Sequence, residues 1–228
     1  MHTAIFITKM KVTAVVPVYN EEKTIKNVLE VLTSSDRINE IIVINGGSTD
    51  RTPHIINKFK SNKKLKIRIM NLKHPNGKGD AVRIGTKNIK SEILLFFDAD
   101  LIGLKKEHID KLLEPVVNEG AAMVIGLRDK GNLIGNMLMP YFPLTGGERA
   151  ILTKVFMEIR KCPLIEGWGL ESVMNDYCKK KKLKIFKVKL DGMNHIGLQT
   201  KKYGLMAFLK EIYDVVLIKI KLFGVKYN

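Results

Sequence analysis

The sequence predicts an α/β fold in which helices cover both faces of a mostly parallel central sheet, with further helices at the C-terminal end. Three observations indicate this fold class. Short apolar runs alternate with helical patterns over residues 1–126, the runs are rich in β-branched residues, and polar residues directly follow several of them. Apolar runs of this length are typical of strands buried on both faces, and their alternation with helices is typical of parallel sheets.

The predicted strands of this region share a short, apolar and mostly β-branched composition. They are residues 12–18, 40–45, 66–70, 93–97 and 121–125. The helices predicted between them carry apolar residues at helical spacing. They are residues 21–32, a segment beginning near Arg51, residues 81–89 and residues 107–117. Asp50 is a suitable N-cap for the second of these helices, and a glycine-rich turn at 76–80 leads into the third.

The second half of the chain is less regular. Glycines and prolines predict a long loop over residues 127–146. Helices are predicted at residues 147–160, 170–182 and 203–223, and an alternating pattern predicts a strand at 183–190. No linker divides the chain, so we expect one domain over residues 1–228 that ends in a basic, apolar helix at 203–223.

Composition restricts the class of protein. The 228 residues carry 39 Lys and Arg against 23 Asp and Glu, a formal charge of +16, which indicates either a solvated surface or an anionic partner. A nucleic-acid partner is not expected, because aromatic residues are 7% and no nucleic-acid-binding signature is present. Without a signal-peptide pattern or a run of about 18 apolar residues, we expect a cytoplasmic protein.

Asp98 and Asp100 directly follow the predicted strand at 93–97. Ligands of parallel sheets bind outside the carboxyl ends of the strands. Two carboxylates one residue apart at such an end can both reach a divalent cation, and Mg²⁺ and Mn²⁺ prefer oxygen ligands. The sequence therefore predicts a Mg²⁺ or Mn²⁺ site, against the alternative that both acids are merely solvated.

Other polar residues are candidates for the same edge of the sheet. Lys78 lies in a glycine-rich turn that opens a helix, where a phosphate could bind, although a plain helix-entry turn explains it as well. His195 is either a metal ligand or an ordinary surface histidine. Glu171 and Asp176 lie five residues apart on one predicted helix and could act as a base or bind sugar hydroxyls.

The C-terminal segment at 206–223 has a wide apolar stripe interleaved with Lys210, Lys219 and Lys221. This pattern favours peripheral contact with an anionic membrane surface, packing on the main domain, or packing on a second copy in a homodimer.

Five blocks together resemble the family 2 glycosyltransferases of the nucleotide-sugar-binding GT-A fold. In chain order they are VVPVYNEEKTI, INGGSTDRT, GKGDAVRIG, FFDADL and GGERAI. The resemblance extends over about residues 12–200. Within that family the stretches NGKGDA, PLTGGERA, GWGLESVMND and LDGMNH are most similar to glucosyl-3-phosphoglycerate synthases. The resemblance implies a hexosyltransferase that takes a sugar from a nucleoside diphosphate sugar with Mg²⁺ or Mn²⁺.

The resemblance also implies roles for individual residues. Asp98 and Asp100 would hold the metal on the donor diphosphate, and His195 would complete the metal site. Glu171 would bind donor-sugar hydroxyls. The residues implied in nucleotide-sugar binding are Pro17, Tyr19, Asn20, Glu21, Asn45, Gly47, Lys78 and Asp98. An inverting reaction needs a carboxylate base, for which the candidates are Glu148, Glu171 and Asp176.

The sequence departs from the family pattern at three places. Asn45 stands where an aspartate is usual, and an amide can accept from the uracil imide and donate to a carbonyl, which favours a UDP-sugar over a GDP-sugar. The phosphoglycerate-binding signature is not evident at residues 129–140, and Met193 stands where an arginine is expected. We therefore expect a small, phosphorylated acceptor of unspecified identity. The alternatives are a polyprenyl-phosphate sugar transferase at the membrane and a non-catalytic nucleotide-sugar-binding protein.

Overall fold

A computed structural model describes residues 10–62, 65–73, 75–128, 146–167, 169–195, 213 and 216–227. The strands are β1 (Val12–Val18), β2 (Glu40–Asn45), β3 (Lys66–Asn71), β4 (Ile93–Phe96), β5 (Leu101–Ile102), β6 (Met123–Arg128), β7 (Arg149–Leu152), β8 (Ile185–Leu190) and β9 (Asn194–His195). The helices are α1 (Ile25–Thr33), α2 (Thr52–Phe59), α3 (Gly77–Gly85), α4 (Lys106–Asn118), α5 (Thr153–Ile159) and α6 (Leu170–Lys180), and a 3₁₀ turn spans Pro163–Ile165.

Seven strands form one sheet in the order β3-β2-β1-β4-β7-β6-β8. Neighbouring strands pair in parallel except around β7, which runs antiparallel to β4 and β6. Alternate residues of the central strands face opposite apolar clusters. One cluster includes residues of α1, α2 and α4, and the other includes residues of α3, α5 and α6. The predicted fold class, a mostly parallel sheet with helices on both faces, is confirmed.

The prediction of a helix over residues 147–160 is wrong for the first part of that range. Residues 149–152 form β7, which pairs with β4 through Leu95 and Ala150, and α5 begins only at Thr153. Ala150 and Ile151 are fully buried between two neighbouring strands, so burial within the sheet overrides a local sequence that suits a helix. Strand β6 likewise continues to Arg128, beyond its predicted end, because it pairs with β8 along its whole length.

The reversed direction of β7 brings its first residues to the carboxyl edge of the parallel strands. Gly147, just before β7, lies so close to Asp98 that an added Cβ atom would overlap the Asp98 carboxylate. Glycine is therefore required at this position by the close approach of the two segments rather than by its backbone angles.

His108 links α4 to the turn between β8 and β9. Its Nδ1 accepts a hydrogen bond from the Lys105 backbone N–H at 3.2 Å, so Nε2 carries the proton and donates to the Asp191 carbonyl at 3.1 Å. Burial lowers the pKa of His108, which favours this neutral form. The link fixes the turn that leads into β9, which pairs with β5 in a small second sheet.

The C-terminal helix predicted at 203–223 is described at residue 213 and at residues 216–223, all of which are helical; the rest of it, and residues 129–145 of the predicted loop, lie outside the described residues. Lys180 of α6 donates to the carbonyl oxygens of Leu222 at 2.6 Å and Val225 at 2.9 Å. Within the described ranges, no helix is long and apolar enough to cross a bilayer.

We expect Gly79→Ala to lower the free energy of unfolding by about 1–3 kcal/mol, as overpacking does in other proteins. Gly79 lies in the first turn of α3, its N–H donates to the Gly167 carbonyl at 3.2 Å, and a Cβ atom would overlap the Ile165 carbonyl oxygen. Urea denaturation measures the change.

Gly224→Ala is the matched control, because a Cβ atom there has nothing within 4 Å. We expect its effect to stay within about 0.5 kcal/mol. Equal stability of Gly79→Ala and the unmodified chain would contradict the contact between α3 and the 3₁₀ turn.

Candidate active site

A cavity of about 350 Å³ lies at the carboxyl edge of the strands. It is lined by residues that follow β1, β2 and β4 and by the first turns of α3. The residues of this lining that the sequence predicted are Pro17, Tyr19, Glu21, Lys78, Asp98 and Asp100. The structure thus brings together side chains from three separate motifs at the place where ligands of parallel sheets bind.

Lys78 lies between two carboxylates at this cavity. Its Nζ is 2.5 Å from Asp98 Oδ1 and 2.7 Å from Glu171 Oε1. Burial lowers the pKa of Lys78, but the two carboxylates outweigh burial and hold the pKa well above its usual value. A charged ammonium therefore joins the start of α3, the residues after β4 and the first turn of α6.

Arg128, at the end of β6, approaches the same aspartate from the other side. Its guanidinium lies 3.8 Å from Asp98 Oδ2 and 3.2 Å from Glu148 Oε2. Glu148 is fully buried. Burial raises the pKa of Glu148, and Arg128 opposes that increase. Glu148, predicted as a candidate base, is therefore enclosed behind Asp98 and linked to it by Arg128.

Arg149, the first residue of β7, is almost fully buried. Its Nε donates to the Gly146 carbonyl at 2.8 Å, and its Nη1 donates to Asn175 Oδ1 at 2.6 Å. Burial lowers the pKa of Arg149, while nearby carboxylates, Glu171 first, raise it. Because Asn175 is part of α6, Arg149 fixes the helix that carries Glu171.

Sequence reasoning did not identify Arg128 and Arg149. The predicted strand at 121–125 ended before Arg128, and residue 149 was assigned to a helix. The apolar residues that flank the two arginines, at 123–127 and 150–152, are the signal that could have placed both arginines at strand ends.

Asn20 binds a neighbouring loop. Its backbone lies in the left-handed region with φ of 53°. Its N–H donates to Ser48 Oγ at 2.9 Å, and its Oδ1 accepts from the Thr49 N–H at 2.8 Å. The Glu21 N–H donates to Thr52 Oγ1 at 2.9 Å. Asn20 was expected to contact the nucleotide; the structure shows it joining the two loops that follow β1 and β2.

Asn45, which the resemblance implies in nucleotide binding, has an amide that neighbouring residues of the protein bind. Its side chain is buried, with 4% exposed. Oδ1 accepts from the Ser48 N–H at 3.0 Å, and Nδ2 donates to Asn71 Oδ1 at 3.0 Å. Asn45 therefore shapes the loop after β2, in which Gly47 takes a left-handed φ of 87°. A contact of Asn45 with the base stays a prediction.

Asp176, a predicted candidate base, is not among the residues that line the described cavity. Its carboxylate is 2.9 Å from Lys180 Nζ and accepts a hydrogen bond from Tyr227 Oη at 2.9 Å. Five residues of helix place it about 140° around α6 from Glu171. The structure therefore joins Asp176 to the C-terminal segment.

The donor chemistry of the cavity fits a hard divalent cation, because Asp98 and Asp100 both line it and offer carboxylate oxygens. The backbone of His195 pairs with Leu101, next to Asp100, in the β5–β9 sheet, and its side chain lies outside the described part of the chain. Among the described residues, no three His, Cys, Asp or Glu side chains form a metal-binding group. The three-residue ligand set stays a prediction.

The mostly parallel sheet, with two aspartates and a lysine at its carboxyl edge, has the features of the class that the sequence resembles, the glycosyltransferases with a GT-A fold. Residues 13–164 match the family model described as Glycosyl transferase family 2. The chain belongs to this family.

The solved structures of similar fold include glucosyl-3-phosphoglycerate synthase from Mycobacterium tuberculosis, crystallised with Mn²⁺, uridine diphosphate and glucosyl-3-phosphoglycerate. The TM-score is 0.76 at 22% sequence identity, over 95% of this chain and 81% of that chain. The same enzyme has also been crystallised with Mg²⁺ and uridine diphosphate. At this identity the likeness shows the fold.

Two curated relatives are similar in sequence over half of this chain. A dolichyl-phosphate beta-glucosyltransferase of Trichomonas vaginalis is 32% identical over 132 residues, which are 51% of this chain and 39% of that protein. A probable glycosyltransferase of Bacillus subtilis is 33% identical over 123 residues, which are 51% of this chain and 29% of that protein. The chain thus spans well under two thirds of the length of both.

We expect Arg128→Met to lower the free energy of unfolding by about 3–5 kcal/mol, because it leaves Glu148 buried without its cation. The loss should grow with pH. Burial already raises the folded-state pKa of Glu148 above its usual 4.5, and removing Arg128 raises it further. As the pH rises above this usual pKa, the unfolded chain releases the Glu148 proton before the folded chain does. The free energy of unfolding therefore falls as the pH rises. Urea denaturation between about pH 5 and about pH 8 measures how steeply the free energy of unfolding falls with pH.

Arg37→Met is the matched control, since Arg37 pairs with Asp110 at 3.8 Å on the exposed surface. We expect a change below about 1 kcal/mol that does not depend on pH. The same pH slope in Arg128→Met as in the unmodified chain would show that Arg128 does not compensate the charge of Glu148.

Proposed function

We propose that this chain transfers a sugar from a uridine diphosphate sugar to an acceptor that carries a phosphate group, with Mg²⁺ or Mn²⁺ held by Asp98 and Asp100. The observation that carries the proposal is the placement of Lys78 and both aspartates in one cavity at the carboxyl edge of the sheet. Family membership and the likeness of the fold to a transferase crystallised with Mn²⁺ and uridine diphosphate support it.

The metal, when bound, would neutralise charge that develops on the departing diphosphate. Lys78 supplies a second cation at the same place, because its ammonium already lies against Asp98 at the cavity. A lysine held in advance by protein carboxylates needs little reorganisation when an anionic leaving group forms. Lys78 thus stabilises the diphosphate and orients it.

Pro17 and Tyr19 are proposed to contact the base. Both line the cavity, and the Tyr19 side chain is 54% exposed, so its ring is available for stacking. Stacking tolerates every base. The proposed choice of uracil therefore rests on the nucleotide in the structures of similar fold, since the Asn45 amide is engaged inside the protein.

Glu171 is proposed to bind the donor sugar. It is held by Lys78, which lines the cavity, and 14% of the Glu171 side chain is exposed. Glu148 is proposed to position Asp98 through Arg128 rather than to act as the base, because Glu148 is fully buried. These assignments separate the carboxylate that can reach substrate from the one that supports the site.

The phosphate on the acceptor could belong to a small molecule or to a polyprenyl lipid. The structures of similar fold include complexes with phosphoglyceric acid, whereas one curated relative is a dolichyl-phosphate glucosyltransferase. Assays with UDP-glucose and either phosphoglyceric acid or a detergent-dispersed polyprenyl phosphate distinguish the two sources. Absence of both transfer and donor hydrolysis with Mn²⁺ would favour a non-catalytic binding protein.

We expect Asp100→Asn to lower kcat by about 10²- to 10³-fold, the effect of losing one strong electrostatic contact to a transition state. The stabilisation of the protein by UDP with Mn²⁺, measured as a shift in Tm, should disappear. The Tm without ligand should stay close to that of the unmodified chain, because Asp100 is partly exposed.

Asp110→Asn is the control, since Asp110 lies on α4 with 56% of its side chain exposed. In this variant, kcat and the Tm shift caused by UDP with Mn²⁺ should both stay unchanged. Full activity of Asp100→Asn, or full activity of the unmodified chain with excess EDTA, would refute the metal role.

We expect Asn45→Asp to keep the preference between UDP and GDP unchanged. A carboxylate at this position still accepts from the Ser48 N–H, and rotation of the Asn71 amide lets Asn71 donate in place of Asn45. In competition binding, the ratio of the UDP and GDP dissociation constants should differ between the two proteins by less than about tenfold, the effect of one hydrogen bond. A preference that reverses in the variant would show that residue 45 reads the base.

A further inference from the structure

The C-terminal helix, defined here as residues 213 and 216–223, is held on the protein by its inner face. Ile218 and Leu222 pack against the apolar cluster on the α6 side of the sheet, and Leu222 is 3% exposed. Lys180 donates to carbonyl oxygens at the end of this helix, and Tyr227 packs edge-on against Tyr177 with ring centroids 4.9 Å apart. The helix is therefore a fixed part of the surface.

The outer face of this helix is also apolar. Four large exposed side chains form an apolar row, Tyr213, Val216, Ile220 and Phe223, exposed by 62%, 47%, 65% and 93%. The last three lie in continuous helix at spacings of four and three residues, which places them within an arc of about 60°. Leu222 lies about 130° from the middle of these three. A contiguous exposed apolar row on a fixed element is typical of an interaction surface.

Lysines lie on both sides of the row. Lys219 projects about 80° to one side and Lys221 about 120° to the other, and both are exposed. Lys226 is exposed just beyond the helix. Residues 216–227 contain no aspartate or glutamate. An apolar row between cationic flanks is the arrangement of helices that lie in the plane of a membrane surface.

We propose that the outer face of the C-terminal helix docks on an anionic lipid surface. The apolar row enters the boundary between headgroups and acyl chains, and the lysines contact lipid phosphates. Charge favours a lipid surface over a second copy of the chain, because the lysines beside the row are complementary to anionic headgroups. A two-fold contact between copies would bring the same lysines toward each other, and the formal charge of +16 further disfavours self-association.

The inference rests on the proposed function in one respect only: a lipid-borne phosphate acceptor would be presented by such a surface. Vesicle binding is measured without donor or acceptor, so either proposal can fail alone. Transfer to phosphoglyceric acid, if it occurs, should not depend on the row, because none of its four residues lines the cavity.

The test is co-sedimentation of the full chain with vesicles of phosphatidylglycerol and phosphatidylcholine, compared with vesicles of phosphatidylcholine alone. We expect binding to the anionic vesicles that weakens as salt is added. Ile220→Ser with Phe223→Ser, and separately Lys219→Glu with Lys221→Glu, should each reduce the partition coefficient by about tenfold or more. An unchanged Tm in both variants shows that the fold is kept.

Two matched variants control for general effects of apolarity and charge. Ile84→Ser removes an exposed isoleucine of α3, and Lys58→Glu with Lys60→Glu reverses two exposed lysines with the same spacing on and just after α2. The Ile84→Ser variant should bind vesicles as the unmodified chain does. The Lys58→Glu and Lys60→Glu variant should lose less of its vesicle binding than the Lys219→Glu and Lys221→Glu variant.

Three outcomes would overturn the proposal. The first is that the unmodified chain does not bind anionic vesicles. The second is that the test and control variants lose vesicle binding equally. The third is a dimer in solution that the Ile220→Ser and Phe223→Ser changes convert to a monomer. The last would show that the row is covered by a second copy of this chain.

Discussion

The ion pairs of Lys78 with Asp98 and Glu171 are the interaction on which the site depends. They join residues that are 20 and 93 positions apart in sequence. Lys78 reaches both carboxylates only because the first turn of α3 packs directly on the 3₁₀ turn before α6, where Gly79 leaves room for the Ile165 carbonyl. Close backbone packing between the first turn of α3 and the 3₁₀ turn therefore sets the distance between the carboxylates.

The site also shows how a fold buries charge. Ion pairs connect Glu171, Lys78, Asp98, Arg128 and Glu148 in that order, so negative and positive groups alternate from the cavity toward the interior. A buried ion pair contributes little net stability, and losing one partner is costly. The arrangement consequently holds Asp98 from two sides while only the side toward the cavity is open to substrate.

The regular half of the fold and the centre of the site could be predicted from the sequence. Apolar runs identified β1 to β4, and the rule that ligands bind at carboxyl ends brought Tyr19, Lys78 and Asp98 to one place. What could not be predicted depended on tertiary contacts. The residues of β7 are strand because β4 and β6 flank them, Asn45 turns inward because Asn71 and Ser48 bind its amide, and Asp176 turns away because Tyr227 binds it. No local pattern records these partners.

The antiparallel direction of β7 has a consequence for how such proteins diverge. Because β6 ends and β7 begins at the same edge, the connection between Arg128 and Gly147 starts and finishes beside Asp98. Lengthening a connection whose ends are fixed costs little free energy, since the entropic term grows only with the logarithm of length. A change in the number of residues between Arg128 and Gly147 therefore need not alter the register of β6 and β7, which their pairing with β4, β8 and each other fixes.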